Sequence, residues 1–351
     1  MSELGDFLVI AALPVVLGAV SVLFFRRVAA RRAGAGGWSL AAGNALLLLA
    51  LASLVVLGFE IHLRFVYDAS DGDNRTRVSQ RWFERHWWTN NLRLRDDVDY
   101  PLRRLPDRPR ISFLGDSFTA GHGVPDVDAR YVNRLRDANP DWDVHALAIP
   151  GLETATETRL LRRLLARGYE LDVVVLAYYI ENVGHFVPEL TAYFARAAEP
   201  LPQPLRFLTL HSYAIDTFAY RAQTRWMYAR GYWSGIYQRA YAGEAWERQK
   251  RAFRELRAVV EAHGGRFAAL TFPTLAGVEG RQEMLAKIDA FWEAEGVPHL
   301  DLLPVLEPHS TSNLVANPHD AHPSAFTHAL AAEAIQRFVD ERVLPGSEGP
   351  G

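Results

Sequence analysis

Two stretches near the amino terminus carry no charge: Phe7 to Phe25, 19 residues, and Trp38 to Phe59, 22 residues. At about 1.5 Å per residue each is long enough to cross a hydrocarbon core of roughly 30 Å, and both read as transmembrane helices. Arg26, Arg27, Arg31 and Arg32 crowd the loop between them, whereas Glu3 and Asp6 are the charges ahead of the first. By the positive-inside rule that loop is cytoplasmic, and the amino terminus and everything after Glu60 lie on the outer side, periplasmic if the cell is bacterial. The competing reading of the first stretch is a cleaved signal peptide. The flanking charge has the wrong sign for one, and no clean small-x-small site succeeds it. Pro14 is compatible with a lipid-embedded helix.

Residues 61–108 form a polar, Arg-rich neck. Trp82, Trp87 and Trp88 within it suit either a belt at the membrane surface or packing of the neck onto the domain that begins near residue 109. From 109 to 345 the pattern changes to short apolar runs, at 111–115, 144–149, 173–179, 267–272 and 299–303, with amphipathic stretches at 131–139, 153–167 and 245–262. Buried strands alternating with amphipathic helices predict an α/β domain of three layers, α/β/α, around a five-stranded parallel sheet. About 85 residues separate the third and fourth runs, far more than a crossover needs. A helical insertion over roughly 188–242 is therefore expected at one end of the sheet, as a lid, a substrate-shaping wall or a packing element.

Composition then removes several classes of function. The chain has 351 residues, Lys+Arg 38 against Asp+Glu 41, so no global positive field draws in nucleic acid. Cysteine is absent, which excludes disulfides, thiolate nucleophiles and cysteine metal sites. No phosphate-binding or dinucleotide glycine loop appears, and no cofactor is expected.

Ligands of an open parallel sheet bind beyond the carboxyl ends of its strands, so chemistry is expected in the residues just past each strand. GDSFTAGHG at 115–123 comes after the first and presents Ser117 on a turn of small residues. Pro150-Gly151 comes after the second, Glu181-Asn182 after the third, and NPHDAHPSAFTH lies beyond the fifth, with Asp320 two residues before His322. His319, Asp320, His322 and His328 match no closed metal-site spacing, and no metal is expected. His122 and His185 are expected at the mouth of the site or on its surface.

ISFLGDSFTAGHGV, the IPG at 149–151 and DAHPS at 320–324 resemble, in order and spacing, blocks of the SGNH/GDSL hydrolase family over roughly 110–340. The resemblance implies a flavodoxin-like fold and a serine ester hydrolase with Ser117 as nucleophile, His322 as base and Asp320 as its orienting carboxylate. It further implies an oxyanion hole from the N–H groups of Ser117 and Gly151 and the amide of Asn182. Two positions depart from the family pattern. His319 stands three residues before His322, where the family usually has its aspartate, and strict counting from the third strand puts Glu181, not Asn182, at the asparagine position. A carboxylate there would repel an oxyanion, so a one-residue shift that lets Asn182 serve is expected.

Three functions fit this reading. The first is a membrane-anchored esterase cleaving acyl esters, acetyl among them, of an extracytoplasmic glycan or lipid. The second is an acyltransferase acting on an exported polysaccharide, and the third is a non-catalytic envelope binding protein whose site has decayed.

Overall fold

A computed structural model of the chain describes residues 3–30, 37–197, 202–229, 235–276 and 281–344. Arg31 and Arg32 of the basic loop, 198–201 and 230–234 of the insertion, and the tail from 345 lie outside the described residues. In chain order the helices begin with α1 (Glu3–Ala29), α2 (Gly37–Ile61) and α3 (Arg77–His86). Then come β1 (Arg110–Gly115), α4 (Ser117–Ala120), α5 (Tyr131–Ala138), β2 (Asp143–Ala148), α6 (Thr154–Ala166) and β3 (Val173–Tyr179). The insertion supplies α7 (Pro188–Ala197), α8 (Leu205–His211), α9 (Tyr213–Ala229) and α10 (Ile236–Ala242), and α11 (Glu244–Ala262) leads into β4 (Arg266–Phe272). The chain ends with α12 (Arg281–Glu295), β5 (His299–Asp301), α13 (Leu303–Leu306), α14 (Thr311–Leu314), β6 (Val315–Asn317), β7 (Asp320–Pro323) and α15 (Ala325–Phe338).

The described residues fall into two compact units. The first gathers those of 1–69, 74–81 and 200–230, the second those of 70–73, 82–199 and 231–351.

In the first unit α1 and α2 are both long and apolar enough to cross a membrane. They run antiparallel: the Arg64 guanidinium donates to the Glu3 carbonyl at one end, and at the other Gly43 lies so close to the Phe25 ring that a β-carbon would meet it at 2.7 Å. Their burial is inverted relative to a water-soluble helix. Pro14, Ser21, Gly43, Ala50 and Ser53 face inward, while Leu8, Leu23, Leu48 and Leu54 face outward. Small residues at a helix–helix seam with large apolar ones outside is the arrangement lipid favours.

The second unit is built on a parallel sheet in the order β2-β1-β3-β4-β5. Its inner strands are buried on both faces, so alternate residues feed two separate cores. Leu114, Leu176 and Ala269 join the α6, α11 and α12 side chains Leu161, Phe253 and Trp292 on one face. Phe113, Val175 and Leu270 join Leu135 of α5 and Ile335 of α15 on the other. The α5 crossover thus covers one face and the α6 crossover the opposite face. The chain reverses direction across the sheet beside β1, and the crevice opens at the carboxyl ends of β1 and β3.

The segment read as a neck divides. Residues 82–100 are part of the second unit, with Trp82, Leu94, Arg95, Asp96 and Tyr100 all buried. The insertion divides as well, α8 and α9 belonging to the first unit and α7 and α10 to the second.

Candidate active site

Ser117 is the first residue of α4, immediately beyond β1. The turn is tight enough to require glycine at 115, where a β-carbon would collide with Thr119 Oγ1 and lie 3.1 Å from the Ala177 carbonyl. Asp116 caps α4, its carboxylate accepting the Phe118 N–H at 2.9 Å. The other oxygen of that carboxylate accepts from the Asn182 side-chain amide, also at 2.9 Å. Burial raises the Asp116 pKa.

His322 comes from the other end of the sequence. Asp320 and His322 lie on β7, paired with β6 in an antiparallel hairpin. Residues i and i+2 of a strand project to the same face, so the D-x-H spacing sets the two side chains side by side. His322 Nδ1 lies 2.5 Å from Asp320 Oδ1 and its Nε2 lies 2.8 Å from Ser117 Oγ. With Nδ1–H donating to the carboxylate, Nε2 is left as the acceptor for the serine hydroxyl. Burial opposes the charged form of His322, but the charge and hydrogen bond of Asp320, together with the charges of Asp116 and Asp73, hold the pKa above the ordinary histidine value. Burial likewise works to raise Asp320, and the His322 charge and hydrogen bond hold it below the usual carboxylate range.

Three further residues complete this chain, and none was singled out for such a role from sequence. The Ser70 hydroxyl donates to Asp320 Oδ2. The Asn317 amide holds the Ser70 carbonyl at 3.0 Å. His122 is only 3% exposed, which corrects the expectation of a place at the mouth or surface. Its ring stacks on His322 with centroids 4.0 Å apart and an interplanar angle of 6°. His122 Nε2–H donates to the Asp71 carbonyl at 2.8 Å, and burial pushes its pKa down to about 3. Trp82 backs His122 at 6.2 Å, which gives one of the neck tryptophans a packing role, whereas Trp88 is 52% exposed. His185 is exposed, as expected.

Around the Ser117 turn, Arg95 gathers the carbonyls of Ala120, Gly121 and Val124 while stacking on Trp87, which fixes the loop that leaves α4. Phe118 stacks on Tyr179 at 4.1 Å and contacts the His322 ring at 5.5 Å.

Glu181 and Asn182 take different directions. The Glu181 carboxylate accepts from Tyr237 of α10 at 3.1 Å and from Thr274 at 3.0 Å, and burial raises its pKa. Tyr241 of the same helix donates to the Ile180 carbonyl at 2.7 Å, pinning the turn that carries both residues. Asn182 is the one directed to Asp116, the neighbour of Ser117. Gly151 sits at the third position of the turn Ile149–Leu152, with φ of 78° and open space where a β-carbon would be. Proline succeeded by a positive-φ glycine is the type II pattern, and the glycine is conformationally required.

His122, Asp320 and His322 also bring three potential metal-ligand atoms within 4.8 Å of one another. Both nitrogens of His322 already have partners, so an ion bound there would displace either Ser117 or Asp320 from the imidazole.

The second unit has the doubly wound α/β architecture of strand order 2-1-3-4-5. No family model matches the chain and no curated protein matches it. Among solved structures it is similar to TesA, at 13% identity over 66% of this chain and 98% of that one with a TM-score of 0.42. It is also similar to the esterase EstA from Pseudoalteromonas sp., at 15% identity over 67% and 98% of the two chains with a TM-score of 0.41. A third likeness is to the acetylxylan esterase Axe2 from Geobacillus stearothermophilus, at 14% identity over 68% and 96% with a TM-score of 0.40.

Proposed function

We propose that this chain is a membrane-anchored serine ester hydrolase, with α1 and α2 as its anchor and the Ser117 site on the extracytoplasmic side. The reading rests chiefly on the continuous hydrogen-bond chain Ser117–His322–Asp320 at the carboxyl edge of a parallel sheet. A serine hydroxyl is a poor nucleophile at neutral pH, and a base whose second nitrogen is held by a buried carboxylate is what it needs. In this mechanism Ser117 Oγ bonds to the ester carbonyl carbon as its proton passes to His322 Nε2. The N–H groups of Ser117 and Gly151 and the Asn182 amide meet the oxyanion. His322 returns the proton to the departing alcohol as the C–O bond breaks, and a water activated by the same imidazole cleaves the acyl-enzyme. Asp320 remains ionised throughout, its charge offsetting that of the transient imidazolium.

The occupied Glu181 carboxylate supports a functional site over a decayed one, because its charge is already satisfied by Tyr237 and Thr274. For the substrate we propose an acyl ester, such as an acetyl ester, of an envelope glycan or lipid. That choice comes from the anchor and the outward orientation drawn from the arginine loop.

The test is intact-mass analysis of the detergent-solubilised full chain after treatment with a fluorophosphonate. A single adduct on the wild type and none on Ser117→Ala is the expected result. No adduct on folded wild-type protein would overturn the reading in favour of a binding protein.

A further inference from the structure

The first unit presents an apolar surface that the anchor helices alone do not explain. α8 is seven residues long, and its burial is inverted: Thr209 is buried at 7% exposure, while Leu205, Phe207, Leu208 and Leu210 all face outward, Phe207 at 56% and Leu210 at 57%. Phe218 and Trp226 of α9 are exposed as well. Single exposed apolar side chains are ordinary on a soluble surface, but a contiguous set on one short element marks a surface that meets something other than water.

The height of this surface is fixed by hydrogen bonds to the ends of the apolar helices. The Glu60 carboxylate, at the last turn of α2, accepts the N–H groups of Tyr213 and Ala214 and the Ser212 hydroxyl, and so caps the amino terminus of α9. Arg64 pairs with Glu60 and donates to the His211 carbonyl at 3.0 Å. Tyr213 Oη donates to Glu3 at 2.9 Å, and Phe218 meets Phe59 edge to face with centroids 5.1 Å apart. The α8–α9 junction therefore lies level with residues 3 and 59–64, where the charge-free stretches begin and end. Its charge suits the boundary too. Between 205 and 229 the chain carries Arg206, Arg221 and Arg225 against one acid, Asp216. Aromatic and basic side chains together are the composition of helices that lie in the headgroup region.

We propose that α8 and the outward side chains Phe218 and Trp226 of α9 lie in the outer headgroup–acyl boundary of the bilayer that α1 and α2 cross, making the anchor a two-span hairpin with an interfacial arm. The proposal rests on the membrane reading of α1 and α2. Its occupant is the lipid surface, argued from continuity with the outward apolar faces of those helices.

The chain lacks cysteine, so any cysteine introduced is the only one. Phe207→Cys and Leu210→Cys would each be spin-labelled in the full chain, with Leu48→Cys on α2 as the bilayer reference and Glu293→Cys on α12 as the aqueous one. After reconstitution into phosphatidylcholine–phosphatidylglycerol vesicles, collision with oxygen would be compared with collision with a water-soluble nickel chelate. Only variants that still take the fluorophosphonate label would be used. The expected oxygen-to-nickel ratio at 207 and 210 falls between those at 48 and 293. If 48 is lipid-exposed while 207 and 210 match 293, the arm is overturned and the anchor stands. Low collision with both reagents at 207 and 210 means cover by protein, such as a second copy of the chain, and also overturns the arm. A water-exposed 48 overturns the anchor and the arm together.

Discussion

Asp320 receives more hydrogen bonds than orienting one imidazole requires. His322 donates from both its ring and its backbone N–H, and Ser70 adds a hydroxyl. In the proposed mechanism His322 must be neutral to accept the serine proton, and its pKa lies above the ordinary value, so kcat/KM should fall as pH drops through that raised pKa. Asp320→Asn removes the charge that raises it. The acid limb should then move to lower pH while kcat falls on the order of 10³- to 10⁴-fold, as expected when an orienting carboxylate is neutralised. Ser70→Ala leaves a carboxylate with one donor fewer, worth about 1.5–3 kcal/mol for a hydrogen bond to a charged group, or on the order of 10- to 100-fold in kcat. With less of its charge drawn away, Asp320 should raise His322 further and move the acid limb upward, and Ser70→Thr, which keeps the hydroxyl, should restore both. An unshifted profile in Ser70→Ala would leave that residue a packing role only. Ser117 and His322 were legible in the sequence because each sits in a local pattern, a buried strand running into Gly-Asp-Ser and a D-x-H-P run. Ser70 and His122 were not. Ser70 lies 250 residues from the carboxylate it serves, and no local pattern announces a contact of that range.

Most elements of the second unit could be read from apolar periodicity because its sheet is parallel and covered on both faces, which makes each inner strand a continuous apolar run. The sequence boundaries for β1 to β4 differ from the observed ones by one residue at most at either end. β5 is shorter than the 299–303 run because Leu302 and Leu303 turn away into α13. The β6–β7 hairpin escaped notice because three- and four-residue strands with mixed polarity carry no usable period. It nonetheless accounts for the aspartate standing two, not three, residues before the histidine: on a strand, two is the spacing that shares a face. This makes the register testable. One alanine inserted after Ala321 would send His322 to the opposite face from Asp320, and esterase activity should fall at least as far as in Asp320→Asn with the circular dichroism spectrum unchanged. Retained activity would show that the strand geometry does not set the pair. At the β2 turn, Gly151→Ala meets no steric obstacle, so its cost should be the left-handed backbone alone, about 1–2 kcal/mol, read as a lower melting temperature.

At the scale of the whole molecule, the two charge-free stretches were plain because a run of about 20 apolar residues needs no tertiary context to be recognised. The division of the neck and insertion between two units depends instead on contacts between residues distant in sequence. The fold also buries several ionisable groups, and stability should depend on pH accordingly. His328 is fully buried, accepts the Tyr131 N–H at 3.3 Å, and is held neutral with its pKa pushed to about 3, chiefly by burial. A folded-state pKa below the unfolded value means the unfolded chain binds the proton first, so stability is lost as pH falls below about 6.5. His122 acts in the same sense. Glu157, buried with its pKa raised well above the usual value by burial, acts in the opposite sense: its contribution is present at low pH and lost as pH rises through the raised pKa. A melting curve of the wild type alone therefore mixes opposing slopes, and a difference between variants isolates one of them. His328→Leu forfeits the bond to Tyr131 and should be the less stable protein at pH 7.5, but it has no proton to take up at this site. Each pH unit below 6.5 costs the wild type about 1.4 kcal/mol at this residue, so the gap between the two proteins should narrow by about 2 kcal/mol between pH 6.5 and 5. Chemical denaturation of the full chain in detergent at several pH values measures that gap. A gap that stays constant would mean His328 is protonated in the folded protein, with its imidazolium charge compensated inside the core.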